Sequence, residues 1–202
     1  MKHIVVDIET APLKIEHEDI KDYLMDKKIS KEKRSLDPNY SKIIAIGIKL
    51  PDEPVKILAG NNEKEMLADF WDILKNNKTD VIVTHNGYQF DIPFLILRSV
   101  INNIEIPINI NTNRWAMENS NHFDTMMFFS NYGNFTNLNL NILCKMHGIE
   151  VSKGRISGAD IEKLYLDGEW EKIKNHCRED TELLDKLFSK LCFDYLKKKK
   201  FK

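Results

Sequence analysis

Asp7 and Glu9 stand two residues apart in the apolar run "HIVVDIET". In a strand, that spacing turns both carboxylates to one face. Asp91 follows "THNGYQF", where a new apolar run begins. Asp180 falls on the apolar seam of a long C-terminal helix, between Cys177 and Leu184, and His176 stands one turn before it. Each of these has a bland reading. Asp7 could end its strand and Glu9 begin a loop. Asp91 ahead of Ile92-Pro93 fits a helix N-cap. Asp180 could be a buried acid answered by a local base, although the nearby Arg178 belongs to a different helix face. His176 fits a core position, and His85 a strand end. Asp124 and Asp160 read as helix caps, and Met126, Met127, Phe128 and Phe129 as core. The set of four acids points elsewhere. Carboxylates brought together repel unless cations neutralise them. Oxygen-only ligands suit Mg²⁺ or Mn²⁺. Two such ions about 4 Å apart form a device for phosphoryl transfer.

The elements that must position these residues follow from periodicity. Residues 3–8 read as a central strand, apolar on both faces. Residues 41–50 form a second strand, with 54–58 as its hairpin partner across "PDE". Residues 62–76 form an amphipathic helix with Met66, Leu67, Phe70 and Leu74 on one face. A strand over 80–85 closes at Asn86-Gly87, and a helix over 91–101 carries Pro93 in its first turn. The segment 102–121 reads as an irregular excursion with room for a short edge strand. Then come a strand end running into a helix capped by Asp124 (122–133), a helix stopped by Gly148 (136–149), a short helix (157–168) and a long final helix (169–195). Strands interleaved with helices, and helices at the end, give an α/β class: one domain with a mixed sheet flanked by helices.

Length and composition agree. A chain of 202 residues can bury a core large enough for an enzyme site. Its net charge of −1 argues against a protein that coats nucleic acid, but leaves an enzyme that engages one strand end. Cys144, Cys177 and Cys192 have no zinc-type spacing and fit a reducing cytoplasm. The N-terminus lacks a signal-peptide pattern, and no stretch is apolar for long enough to span a membrane.

"VVDIET", "THNGYQFDIPFL" and "HCRED" resemble, in order and spacing, the three motifs of the DEDD 3′–5′ exonucleases of the ribonuclease H-like superfamily. The chain is most similar to the branch of predicted exonucleases related to the proofreading domain of family-B DNA polymerases. "DPNYSKIIAIGI", "HFDTMMFFSNYGNFTNLNLNILCKMHGI" and "KGRISGADIEKLYLDGEWEKIKNHCRED" resemble that branch's second strand, helical middle and ending. The resemblance implies a ribonuclease H-like domain over 1–195, with a basic tail over 196–202 that frays. It implies two divalent ions: Asp7 bridges both, Glu9 and Asp180 complete the site that holds the attacking water, and Asp91 acts on the second ion. It also implies that Thr10 meets the terminal nucleotide through its backbone or hydroxyl, and that Asn86 and Phe90 shape the strand groove. The implied reaction is hydrolysis of the terminal phosphodiester of single-stranded DNA or RNA, releasing nucleoside 5′-monophosphates. This branch carries tyrosine where the chain has His176, and the superfamily's histidine branch places its histidine five residues before the aspartate. The chain thus combines the histidine residue with the tyrosine spacing, and His176 becomes the expected general base or water-orienting group.

Two other readings compete. One is a nucleic-acid-binding or scaffold module with the same fold and weakened chemistry. The other is an endonuclease of the ribonuclease H type. The complete acid set counts against the first, and the helix-borne His176/Asp180 pair against the second. A proofreading role would need a polymerase or other replication or repair protein as partner.

Overall fold

The computed structural model describes residues 1–113, 115, 120–152, 154 and 156–200. Five strands form one mixed sheet in the order β3-β2-β1-β4-β5. They are β1 (His3–Pro12), β2 (Ser41–Lys49), β3 (Lys56–Ala59), β4 (Val81–Thr84) and β5 (His122–Asp124). β2 runs antiparallel to β1 and β3, while β4 and β5 run parallel to β1. The expected single domain with a mixed sheet flanked by helices is what the chain forms. β1 sits at the centre because its sequence is apolar on both faces.

The alternation along β1 assigns its two faces. Ile4, Val6 and Ile8 pack with Ile46 and Ile48 of β2 against α3 (Glu63–Asn76) and α4 (Asp91–Ile101). Val5 faces the other side, where Leu184 of α8 (Trp170–Leu187) covers it. Asp7 and Glu9 share Val5's parity and therefore face α8. β2 carries one extra residue where β1 steps from Glu9 to Thr10, so Ala45 and Ile44 both join the α8 side. Of the apolar stripe expected over Ile173, Cys177, Leu184, Leu187 and Leu191, the first four are buried on α8, while Leu191 lies beyond its end and is half-buried.

Other elements depart from the sequence reading. Residues 13–40 carry α1 (Glu18–Asp26) and α2 (Lys31–Ser35), for which the sequence reading assigned no elements. Leu24 is the one buried residue of α1, so its apolar pattern is thin. After β5, Asp124 caps α5 (Thr125–Phe129) through the Met127 amide, as expected. α6 is confined to Leu140–Met146, because Asn139 caps it. Ser157 and Asp160 form a capping box ahead of α7 (Ile161–Leu166). The final helix is interrupted by a π-turn over Phe188–Cys192 before α9 (Phe193–Lys200). The tail expected to fray from residue 196 continues as helix through Lys200, with Leu196 packed beneath the sheet beside Phe188 and Cys192. Phe201 and Lys202, and residues 114 and 116–119 of the excursion, lie outside the described residues. Among the described residues no helix is long and apolar enough to cross a membrane.

One buried ion pair locks the α3/α4 layer. Arg98 donates Nη2 to Glu63 Oε2 at 2.6 Å and Nε to Oε1 at 2.9 Å. The same carboxylate accepts the Ile43 amide of β2 and the Asn102 side chain, and Arg98 reaches the Pro38 carbonyl. Glu63 thus ties both helices to β2. Breaking one half of such a pair strands the other charge, so Glu63→Ala should lower stability by about 3–5 kcal/mol. Urea unfolding checks this: a loss below about 1 kcal/mol would mean that the guanidinium finds water, as a surface pair does.

Candidate active site

Asp7 lies opposite Gly47 in the β1/β2 ladder. α8 crosses the sheet directly over this pair. A Cβ at Gly47 would collide with Thr181 Oγ1 and stand 3.0 Å from Cys177 Sγ. Only hydrogen fits there, so the helix comes within touching distance of the strand. The buried Cys177 thiol then donates to the Asp7 carboxylate, and Thr181 turns its hydroxyl back to the Cys177 carbonyl at 2.7 Å. Burial and the surrounding acids push the Cys177 thiol up, so it stays protonated and serves as a donor rather than a thiolate.

The same approach brings the neighbouring turn of α8 over Glu9. His176 Nε2 lies 3.4 Å from Glu9 Oε1 and 3.3 Å from Asp180 Oδ2. One ring nitrogen therefore faces two carboxylates from two different elements. His176 and Glu9 are buried, and Asp180 is partly open to solvent.

Asp91 enters from the opposite layer. The cap reading of this residue does not hold: Phe90 occupies the N-cap position, and Asp91 is the first residue of α4. Its carboxylate accepts instead the amide of Ile8, next to Asp7 on β1, together with its own amide. Burial, and then the charge of Asp124, raise Asp91 to about 8. Asp7 is raised well above the carboxylate range, by burial first and then by Glu9, Asp180 and Asp91 in turn. The four sequence-selected acids therefore act on one centre.

The softer candidates divide. Thr10 donates its hydroxyl to the Ser35 carbonyl of α2 at 2.7 Å, so the hydroxyl route to a nucleotide is occupied and its backbone is what remains. Asn86 sits in the left-handed region at φ 70°, and its amide donates to Asp124 Oδ1 at 2.9 Å. A Cβ on Gly87 would collide with the Thr84 side chain. Phe90 is half-buried against the core and packs on Phe94. Asn86 and Phe90 thus belong to the turn that delivers Asp91. His85 braces that turn, with its ring nitrogens 2.9 Å from Thr125 Oγ1 and 3.0 Å from the Leu138 carbonyl.

Sequence reasoning missed the positioning residues. Asp124 is a helix cap as expected, yet it also accepts the amides of Asn86 and Tyr88, pinning the turn ahead of Asp91. Gly47 and Cys177 read as ordinary strand and stripe residues. A glycine inside an isoleucine-rich strand was the one available signal of close approach.

Whether this donor set suits cations can be tested on the residues themselves. Asp7 Oδ2 is buried with no hydrogen-bond partner among the described residues. Candidate ligand atoms of Asp7, Glu9 and Cys177 lie within 4.8 Å of one another, and so do those of Glu9, His176 and Asp180. An unanswered carboxylate oxygen in a mutually repelling, oxygen-rich cluster fits divalent cations. Asp91 stands outside both groups and acts on them through its field at Asp7.

The mixed sheet thus carries acids at the centre of β1, at the start of α4 and on the last long helix. Residues 34–186 match the family described as predicted 3′–5′ exonucleases related to the exonuclease domain of PolB, and the chain belongs to that family. The matched span holds Asp91, His176 and Asp180, while Asp7 and Glu9 precede it. A DNA polymerase of Archaeoglobus fulgidus is 26% identical over 155 residues, covering 72% of this chain and 19% of the polymerase. An uncharacterized protein of Methanocaldococcus jannaschii is 27% identical over 152 residues, covering 74% of this chain and 78% of its own length. The family B DNA polymerase of Pyrobaculum calidifontis superposes with a TM-score of 0.70 at 17% identity, covering 94% of this chain and 24% of that one. The chain thus spans about a fifth of the first polymerase and about a quarter of the second. The fold is that of the PolB exonuclease domain, which is ribonuclease H-like.

Two predictions follow from the geometry. Gly47→Ala must push α8 outward or distort β2, so it should destabilise the fold by about 1–3 kcal/mol. It should also part Cys177 from Asp7. Urea unfolding reads the first effect, and a loss below about 0.5 kcal/mol would show slack at this contact. The second prediction concerns pH without divalent ions. Asp7 and Asp91 hold their protons more tightly folded than unfolded, so their stabilising contribution is complete below the ordinary value of 3.8. It is lost as pH rises through the Asp91 value of about 8. In EDTA the melting temperature should fall from pH 5 to pH 8, and Asp91→Asn should flatten that slope. A rise over this range would contradict the assignment.

Proposed function

We propose that the chain is a metal-dependent 3′–5′ exonuclease that removes nucleoside 5′-monophosphates from single-stranded DNA or RNA ends. One observation carries the reading: carboxylates from β1, α4 and α8 act on Asp7, whose Oδ2 is buried and unanswered. Membership of a family related to polymerase exonuclease domains supports it.

In this reading Asp7, Glu9, Asp91 and Asp180 hold two divalent ions, Mg²⁺ or Mn²⁺. The chemistry such ions supply is an acidified water and compensation of charge on the attacking and leaving oxygens. Glu9, Asp180 and Asp91 all bear on Asp7, which would suit it to be a ligand shared by both ions. Cys177 fixes the Asp7 carboxylate by its hydrogen bond, and Gly47 admits the helix that brings Cys177 there. Glu9 and Asp180 orient His176 through Nε2. With Glu9 and Asp180 engaged by a cation instead, that nitrogen would be freed to take a proton from water. Imidazole titrates near 6.5 and takes a proton at neutrality, whereas a tyrosine phenol near 10 would only orient water. The burial of His176 keeps bulk solvent from competing at that atom.

The Asn86–Phe90 turn forms one wall for the strand, and the Thr10 backbone offers a contact at the terminal nucleotide. Likeness to polymerases further suggests a polymerase, or another replication or repair protein, as partner.

The test is a panel of end-labelled single-stranded DNA, duplex DNA and RNA, each with Mg²⁺, Mn²⁺ or EDTA. Mononucleotide products that vanish in EDTA are expected, and internal fragments would indicate an endonuclease. Asp7→Ala should abolish cleavage. His176→Ala should lower kcat by at least about 100-fold, the scale of a positioned acid–base group. A rate within a few fold of wild type would remove His176 from the chemistry.

A further inference from the structure

The segment between β1 and β2 has no role in the chemistry just described. Taken whole it is neutral, with seven basic and seven acidic residues, but its stretch from Asp26 to Arg34 holds Lys27, Lys28, Lys31, Lys33 and Arg34 against Asp26 and Glu32, in a chain whose net charge is −1. This is a local basic field rather than a global one. Its end is fastened beside the acids. Thr10, the residue after Glu9, donates its hydroxyl to the Ser35 carbonyl at 2.7 Å, and Ser41 donates to the Arg34 carbonyl at 2.6 Å. The Leu13 amide closes the base of the loop on the Tyr40 carbonyl at 2.7 Å. α2 is therefore held at the rim of the cluster.

Arg34 is half-buried, and its Nε is buried with no hydrogen-bond partner among the described residues. An unmet guanidinium donor is unfavourable unless an acceptor arrives. The acids nearby are not that acceptor in this structure. Lys27, Lys28 and Lys33, close to it in sequence, are exposed. Tyr23 is 51% exposed, and Lys27 Nζ lies 5.8 Å from its ring centroid. An arginine fork, spaced lysines and an open aromatic face are the chemistry of a single-strand track: cations for phosphates and a ring for a base. The acid cluster itself repels a polyanion, so a basic rim is where the strand can be gripped.

We propose that α2 and the turn joining it to α1 form a strand-binding arm, in which Arg34 takes a backbone phosphate near the reacting end and Lys27, Lys28 and Lys33 take phosphates further along. The proposal rests on the exonuclease reading for which end of the strand lies at the acids. Its test reads binding without cleavage. A fluorescein-labelled oligothymidylate of about 12 nucleotides, within the usual single-strand site sizes, is titrated with the full chain in EDTA at several salt concentrations. Arg34→Ala should weaken binding about tenfold and reduce the slope of log K against log salt by about 0.7, one phosphate's share on a single strand. Arg34→Lys should restore the slope. Lys28→Glu, an exposed change that leaves packing intact, should also weaken binding and lower the slope. Unchanged affinity and slope in both Arg34→Ala and Lys28→Glu, absence of wild-type binding, or tighter binding of the labelled duplex would each overturn the arm. If the variants weaken binding but the wild type cuts no substrate, the arm stands and the exonuclease reading falls. If the wild type cuts and both variants keep its kcat/KM, the arm falls alone.

Discussion

The site depends on how closely α8 lies on the sheet at Gly47. The β1/β2 register puts this glycine opposite Asp7, and its missing Cβ is the space that Thr181 and Cys177 occupy. From that contact the rest follows by helix geometry. Cys177 meets Asp7; His176, one residue earlier, and Asp180, one turn beyond His176, meet Glu9. A helix riding higher would draw Cys177 away from Asp7 and His176 away from Glu9. The extra residue in β2 beside Glu9 adds to this, since a bulge re-aims side chains where a regular ladder could not.

Two buried carboxylates elsewhere are well answered. Glu63 accepts from Arg98, Asn102 and the Ile43 amide, and Asp124 accepts three amides from its own helix and from the Asn86–Tyr88 turn. Asp7 differs. Its Oδ2 is buried without a partner, and its neighbours raise its proton affinity rather than lower it. A protein that answers Glu63 and Asp124 and leaves Asp7 open is giving up stability at that point, which is where function is expected to reside. Asp124 links the two regimes. It rigidifies the turn before Asp91 and at the same time adds to the repulsion that Asp91 feels.

Much of the fold was legible in the sequence. Period-two alternation gave β1 its faces and put Asp7 with Glu9, and the apolar stripe of α8 singled out Asp180 as a misfit. What escaped were features with weak periodicity or long-range causes. α1 buries one residue and α2 is five residues long, so neither leaves a stripe to read. The π-turn in the last helix spans Phe188–Cys192, where both end residues are buried. Glu63 looked like any acid in a first turn, and Asp91 like an ordinary cap, because a cap and a buried site acid share one residue type.

The sequence by itself determined the central strands and the long helices, which face of β1 carries acids, and that a histidine stands one turn before the last aspartate. Those are local properties, set by alternation along a strand and by helical repeat. Only the tertiary structure decided that Asp91 turns to the Ile8 amide, that the Thr10 hydroxyl holds α2, and that one nitrogen of His176 meets two carboxylates. These pairings join residues far apart in the chain. They depend on the distance between layers, and at Gly47 that distance is set by the absence of a single carbon atom.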